Sequence, residues 1–512
     1  MRTKNSFYNT IAQMIYYIIN IAFGMINRKI LLAVMGVEYQ GINGLFSNVL
    51  SLLSLAEMGI GTAIIYHLYK PIQENDIFQI KTLMRFYRKC YNIIAIVVFS
   101  LGLLVLPFLG FFIGENSLDI NFNIVYLLML FEVLASYLFT YKRSILYAKQ
   151  RNYIVFIADS FYLLLAYTIQ ILIIIFTKNY YWYLACKVIL RIVENSLLNL
   201  ATNKWYPYLK VKNAEKLDKA IFDDIVLKVK GTMFHKIGAY VVYGTDNVLL
   251  SKFFGLLIVG IYSNYSLIIT SVTNVFAQIV TSATASVGDL LTYNDITKNF
   301  RIYKELQLFN AFVINMTATC LLCLISPFVS MFFGKEYILS NYIVVVLIIN
   351  YCLMGMRKVY GVFKDAAGIQ YEDRFVPIIE AISNIVFSLI FIKLFGVVGV
   401  FLGTTCSYFC IYAYTFPILI YKGLLHKKYI DYVMELLKYF GTFVVSMSIS
   451  YTLSNMIVLN SSFMKFIISG VICLIVPNML FILIFPSNFM VVPPNRCLTS
   501  SARRSISSTL MK

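Results

Sequence analysis

The chain has 512 residues, 60% of them hydrophobic and only 13% charged, with a net charge of +19. A soluble domain keeps about a quarter of its residues as Asp, Glu, Lys and Arg to cover its surface, so a mean hydropathy of +0.77 makes hydrocarbon the solvent and excludes a soluble globular protein. The positive balance would suit nucleic acid only on a folded basic face, and no soluble stretch is long enough to form one, so nucleic acid is not an expected partner.

The nine cysteines lie mostly inside apolar runs without the spacing of a disulfide framework. Cys320 and Cys323 form a CxxC, but it sits in the middle of a hydrophobic run, where buried thiols are the expectation. His67, His235 and His426 are far apart and show no ligand spacing. No metal or cofactor is expected.

In chain order, apolar runs occur at 7–33, 42–68, 90–113, 122–141, 154–177, 181–203, 232–254, 259–288, 306–333, 341–357, 375–395, 397–421, 437–459 and 464–485. Each is long enough to cross a bilayer or nearly so, and the pattern predicts an all-α polytopic membrane protein with about fourteen spans. The first run follows Arg2 and Lys4 as a signal peptide would, yet it is too long for one and no small-residue cleavage site follows, so it is expected to remain as a span. Lys and Arg concentrate before the first run and after every second run. That pattern predicts both termini in the cytoplasm and makes most of the net charge a matter of topology.

The chain also repeats itself. ILLAVMGVEYQGI (30–42) aligns with VLLSKFFGLLIVGI (248–261), matching Gly36 with Gly255 and Gly41 with Gly260 at an offset of 219. PFLGFFIG (107–114) aligns with PFVSMFFG (327–334), and Gln150 pairs with Gln370, at an offset of 220. A register held over that distance predicts two six-helix lobes as parallel repeats, 1–203 and 232–421. They are joined by a polar cytoplasmic linker (204–231) and followed by two extra helices (422–486) and a basic tail (487–512).

At GVEYQGINGLF (36–46), LAEMGIGTA (55–63) and TDNVLLSKFFGLLIVGIYS (245–263) the chain resembles the Wzx-type polysaccharide flippases of the multidrug/oligosaccharidyl-lipid/polysaccharide (MOP) exporter superfamily. The resemblance spans roughly the first 420 residues. It implies an inner-membrane flippase of surface-polysaccharide biosynthesis, for O-antigen or capsule. Such a protein moves polyprenyl-diphosphate-linked oligosaccharides outward by alternating access, with a polysaccharide polymerase acting next and a proton or sodium ion as coupling ion.

Charges inside spans cost about 2.5–3.5 kcal/mol each at mid-bilayer, so each one marks a partner, a cavity or an interface. Arg28 and Lys29 sit late in the first run, either snorkelling to headgroups or lining a cationic cavity. In 181–203, Lys187, Arg191, Glu194 and Asn195 share one helical face; the face serves either as a cavity wall or as an Arg191/Glu194 ion pair that holds helices together. Asn43, Ser47, Ser51, Ser54 and Glu57 form a polar stripe in the second run, and Asn264, Asn274 and Gln278 one in the eighth. Among the acids, Glu57, Asp159, Asp246 and Glu380 are candidates for a gate or for ion coupling. Asp246 takes the repeat position of Asn27, beside Arg28, and a gating pair between Asp246 and Arg28 or Lys29 is expected.

Two rival functions stand beside the flippase: a multidrug/cation antiporter of the same superfamily, and a membrane polymerase or glycosyltransferase. The antiporter needs an acidic, aromatic cavity, which Lys187 and Arg191 oppose. The enzyme needs a sizeable extramembrane loop and a paired acid/base site, and neither is visible. Reporter fusions test the topology: one after Lys228 should report cytoplasm and one after Leu118 the periplasm, and the opposite pattern would overturn orientation and span count together.

Overall fold

The computed structural model describes residues 2–57, 60–114, 116–210, 217–293, 295–369, 372–459 and 461–485. Gln370 and the tail 487–512 lie outside the described residues. All regular structure among the described residues is helical, as α1 (Arg2–Met35), α2 (Val37–Leu53), α3 (Ile60–Glu74), α4 (Ile77–Val105), α5 (Leu109–Phe112), α6 (Phe122–Tyr137), α7 (Arg143–Ala148), α8 (Asn152–Thr177) and α9 (Tyr180–Trp205). The order continues with α10 (Lys219–Thr281), α11 (Thr284–Thr292), α12 (Ile296–Phe332), α13 (Asn341–Ala367), α14 (Val376–Phe395), α15 (Val397–Ala413), a π-helical turn Thr415–Leu424, α16 (Tyr429–Met456) and α17 (Ser462–Ile484). Local chemistry starts several of them: the side chains of Asp76, Asn121 and Asn179 accept bonds from the first free N–H groups of α4, α6 and α9.

Eleven described stretches are long and apolar enough to cross a membrane. Three departures separate that number from the fourteen expected. The second predicted run is broken, because α2 ends in a 3-10 turn at Ser54–Glu57 before α3 begins. There the hydroxyls of Ser51 and Ser54 bond back to the carbonyls of Asn48 and Leu50, an arrangement that bends helices. Helix α9 carries Lys187, Arg191, Glu194 and Lys204 along 26 residues and so is too charged to count by composition. The seventh and eighth runs form one helical stretch, α10, interrupted only at Gly255. Large apolar side chains such as Phe176, Leu200 and Leu483 face outward, which is the surface of a multi-pass membrane protein.

The chain divides into two compact units. The first comprises Met1–Ser271, Phe332–Ile343 and Ile369–Ile411. In it α1 lies along α8, α9 packs on α6 and α8, and α6 also meets α2 and α4, around a core that includes Phe46, Tyr126, Leu130 and Ile145. The second unit comprises Val272–Met331, Val344–Gly368 and Tyr412–Lys512. Its interior is tied by Asn310 to the Gly355 carbonyl at 3.2 Å, Asn315 to Ser446 at 3.2 Å and Thr317 to Tyr351 at 2.6 Å. Tyr303, Tyr360, Tyr421 and Tyr432 form a buried aromatic cluster there.

Within the first unit the sequence repeat has a structural counterpart. Gly36 (φ 101°, ψ 170°) and Gly255 (φ 82°, ψ 171°) adopt the same positive-φ conformation, which side chains bearing a Cβ avoid. Five residues on, Gly41 packs against the carbonyl of Leu256, and Gly260 against that of Val37. Each contact is the reciprocal of the other, so the two matched segments cross through a local two-fold relation with backbone against backbone. A Cβ at Gly41 or Gly260 would land on a carbonyl, whereas Gly110 has open space around it. Gly41→Ala and Gly260→Ala should each destabilise by about 1–3 kcal/mol in thermal unfolding in detergent, while Gly110→Ala should leave the midpoint nearly unchanged.

Candidate functional site

Polar side chains inside the first unit collect around two cavities that share helices α1, α6, α8 and α9. The first, about 220 Å³, is lined by Arg28, Asn43, Ser47, Glu132, Tyr167 and Lys187 among others. Asn27 anchors its wall by donating to Gln170 Oε1 and to the Tyr183 hydroxyl, both at 3.1 Å, and Gln170 in turn donates to the Tyr183 carbonyl at 3.0 Å. These bonds fix α1, α8 and α9 in register.

The two cations of this cavity are in different states. Lys187 pairs with Glu132 at 3.1 Å. The Arg28 guanidinium donates to the Ser263 carbonyl and to Asn264 Oδ1 (3.5 Å), which are both neutral, and has no carboxylate partner among the described residues. The cavity therefore carries one uncompensated positive charge. A low-dielectric site with a fixed, unneutralised guanidinium is suited to an anion, and Arg is the side chain whose planar fork matches phosphate oxygens.

The second cavity, about 430 Å³, is lined by Tyr16, Glu57, Arg143, Asp159, Tyr162 and Arg191 among others. Here the charges close on one another. Arg143 bridges Asp159 at 2.8 Å and Glu194 at 2.5 Å and also reaches Asn195 at 3.0 Å. Arg191 pairs with Glu194 at 2.8 Å, approaches Asp159 at 3.9 Å, and lies over the Tyr162 ring at 3.6 Å. Glu57 accepts a hydrogen bond from Tyr91. Arg191 and Glu194 thus form the ion pair that was one of the two readings of their shared face.

Arg143 is the residue that sequence reasoning missed. Placed just after the fourth apolar run, it reads from sequence as a topology-setting charge of a cytoplasmic loop, but its side chain is only 13% exposed and it joins α7 to α8 and α9. Lys142 is buried too and donates to Asn199 and Asn203. A signal existed: Glu132, Asp159 and Glu194 lie in three successive apolar runs that hold only Lys187 and Arg191 as cations, so another cation was owed. Tyr162, Tyr167, Gln170 and Tyr183 carried no sequence signal beyond being polar in apolar runs.

The other expected residues scatter. Asp246 on α10 is buried and accepts from Thr404 at 3.2 Å; Thr404 accepts from Asn384 (2.9 Å), whose amide oxygen accepts from Thr245 (2.9 Å). Lys29 is exposed, with its ammonium over the Phe332 ring at 4.7 Å. The structure therefore does not bring Asp246 together with Arg28 or Lys29. The repeat explains why: Asn27 bonds to α8 and α9, and its counterpart Asp246 bonds to α15, so each faces inward among its own helices. Asn264 meets Arg28, whereas the hydroxyls of Ser51 and Ser54 are taken up by their own helix. Asn274 and Gln278 are exposed positions in the second unit, and Glu380 is buried in α14.

No protein-family model matches this sequence, and no curated protein sequence matches it. Solved structures do. The lipid II flippase MurJ in an inward-closed conformation superposes with a TM-score of 0.69 at 14% identity, over 93% of this chain and 98% of that one. An inward-facing multidrug resistance MATE family transporter of the MOP superfamily gives 0.56 at 13% identity, over 78% and 93%. A MOP superfamily transporter from Pyrococcus furiosus, described by a reverse polarity of its binding pocket that suggests a different function, gives 0.50 at 12% identity, over 81% and 94%. The chain has the fold of MOP superfamily transporters.

The quartet predicts a graded stability series. Arg143→Ala leaves Asp159 without its near partner and should cost about 3–5 kcal/mol, whereas Arg191→Ala should cost less because Glu194 keeps Arg143. Thermal unfolding of the purified variants checks the order; a larger loss for Arg191→Ala would overturn the assignment of Arg143 as the central cation.

Proposed function

We propose that this protein is a flippase of the bacterial cytoplasmic membrane that carries polyprenyl-diphosphate-linked oligosaccharides to the outer leaflet for O-antigen or capsule synthesis, with both termini in the cytoplasm and fourteen spans. The observation that carries this reading is the uncompensated Arg28 guanidinium in a polar cavity, beside the Lys187–Glu132 pair. A diphosphate needs such a charge on its way through hydrocarbon, and the hydroxyl and amide walls supplied by Asn43, Ser47 and Tyr167 replace water around it. The fold shared with a lipid II flippase supports the same class of cargo.

Transport by two rocking lobes, 1–203 and 232–421, would alternate access, while the lipid tail stays in the bilayer. Asp246, buried among Thr404 and Asn384, is the residue we assign to the coupling cation, a proton or sodium. A multidrug antiporter is the rival. The sign of the pocket separates the two: an organic cation would be repelled by Arg28, and a related transporter is itself described by reversed pocket polarity.

Deleting the gene in its host should make complete lipid-linked repeat units accumulate on the inner leaflet; a shortened glycan would point to a transferase instead. Complementation with Arg28→Ala should fail at normal protein abundance and Arg28→Lys should recover part of it. Asp246→Asn should lose coupled transport at every pH. Full export by Arg28→Ala would remove the anion-cavity assignment.

A further inference from the structure

The second cavity is not explained by anion binding. Its charges are spent on one another in the Arg143–Asp159–Glu194–Arg191 quartet, and Glu57 is engaged by Tyr91. The quartet is therefore neutral, while the Glu57 carboxylate, bonded to a neutral hydroxyl, keeps acceptor capacity toward the space. Beside that acceptor, what remains unspent is donor capacity. The Tyr162 hydroxyl, in a residue only 3% exposed, has no partner among the described residues, nor do the Nε–H groups of Arg143 and Arg191. Tyrosines 16, 87, 91, 147 and 162 wall the space with flat rings. Aromatic walls, a carboxylate acceptor and a few convergent donors fit a polyhydroxylated ring.

Position agrees with chemistry. The same helices line both cavities on consecutive turns: Glu132 then Ser136 on α6, Tyr167 then Tyr162 on α8, Lys187 then Arg191 on α9, and Asn20 then Tyr16 on α1. Four or five residues of helix rise about 6–7.5 Å, which is the order of the step from a diphosphate to the sugar attached to it. Resting on the flippase reading above, we propose that the tyrosine-walled cavity is the saccharide subsite, receiving the first sugars of the repeat unit while Arg28 holds the diphosphate.

The test uses the purified full chain and two probes: the diphosphate-linked glycolipid accumulated by the deletion strain, and sugar-free undecaprenyl diphosphate. Tyr162→Phe removes an unpartnered hydroxyl, so the fold should tolerate it, and Tyr16→Phe makes the equivalent change at a half-buried position. Both should weaken the glycolipid by several-fold to roughly tenfold and leave undecaprenyl diphosphate unchanged, whereas Arg28→Ala should weaken both probes. If the tyrosine variants alter neither probe, or both equally, the cavity is only a charge lock between helices and the subsite is overturned while the flippase reading stands. If no glycolipid accumulates, or the wild-type chain binds neither probe, the flippase reading falls and the subsite with it.

Discussion

A charge in hydrocarbon must be answered by its immediate neighbours, because no water is there to answer it. The arrangement of the first six helices follows from that demand. Arg143, Asp159, Arg191 and Glu194 come from α7, α8 and α9, and none of the four could stay ionised alone. Together they hold three helices at fixed rotations about their axes, since turning any one of them would strand a charge. Lys187 with Glu132 does the same between α9 and α6. The apolar residues between these pairs face lipid or core with little specificity, so the polar groups set the register and the hydrophobic ones fill it.

Against this background the exception acquires meaning. Arg28 satisfies its hydrogen bonds with a carbonyl and an amide but not its charge. Replacing it with a neutral side chain would relieve the bundle electrostatically, so stability alone does not account for it. A part-buried cation without a counter-ion among the described residues is retained at a cost, which an arriving anion would offset.

Much of this was legible in the sequence. Hydropathy gave the helical class, and most predicted runs recur as helices, because long apolar stretches in lipid have only one backbone solution. The Gly36/Gly255 match was visible as spacing and corresponds to matched positive-φ turns. The helical face of Lys187, Arg191 and Glu194 was also visible, since periodicity reports which residues of one helix share a side. Partners on other helices were not. Arg143 looked like a loop charge because sequence shows neither that α7 dips into the bundle nor that Asp159 and Glu194 converge on it from separate runs. The Asp246–Arg28 contact expected from the repeat is not made in this structure, since a repeat matches positions and does not say which neighbour each one faces.

The repeat nonetheless carries one more step. At equivalent positions the first copy has Asn27 and Arg28, and the second has Asp246 and Asn247. The amide of Asn27 and the carboxylate of Asp246 occupy the same site in related surroundings, bonded to the α8/α9 wall in one copy and to α15 in the other. One duplicated scaffold therefore offers a fixed positive charge in one half and a negative one at the adjacent residue in the other. A transporter that moves an anion against or alongside a cation needs two sites of opposite sign that do not neutralise each other. Arg28 turns to Ser263 and Asn264 on α10 while Asp246 turns to Thr404 on α15, so the two charges are held on different partners and do not neutralise each other.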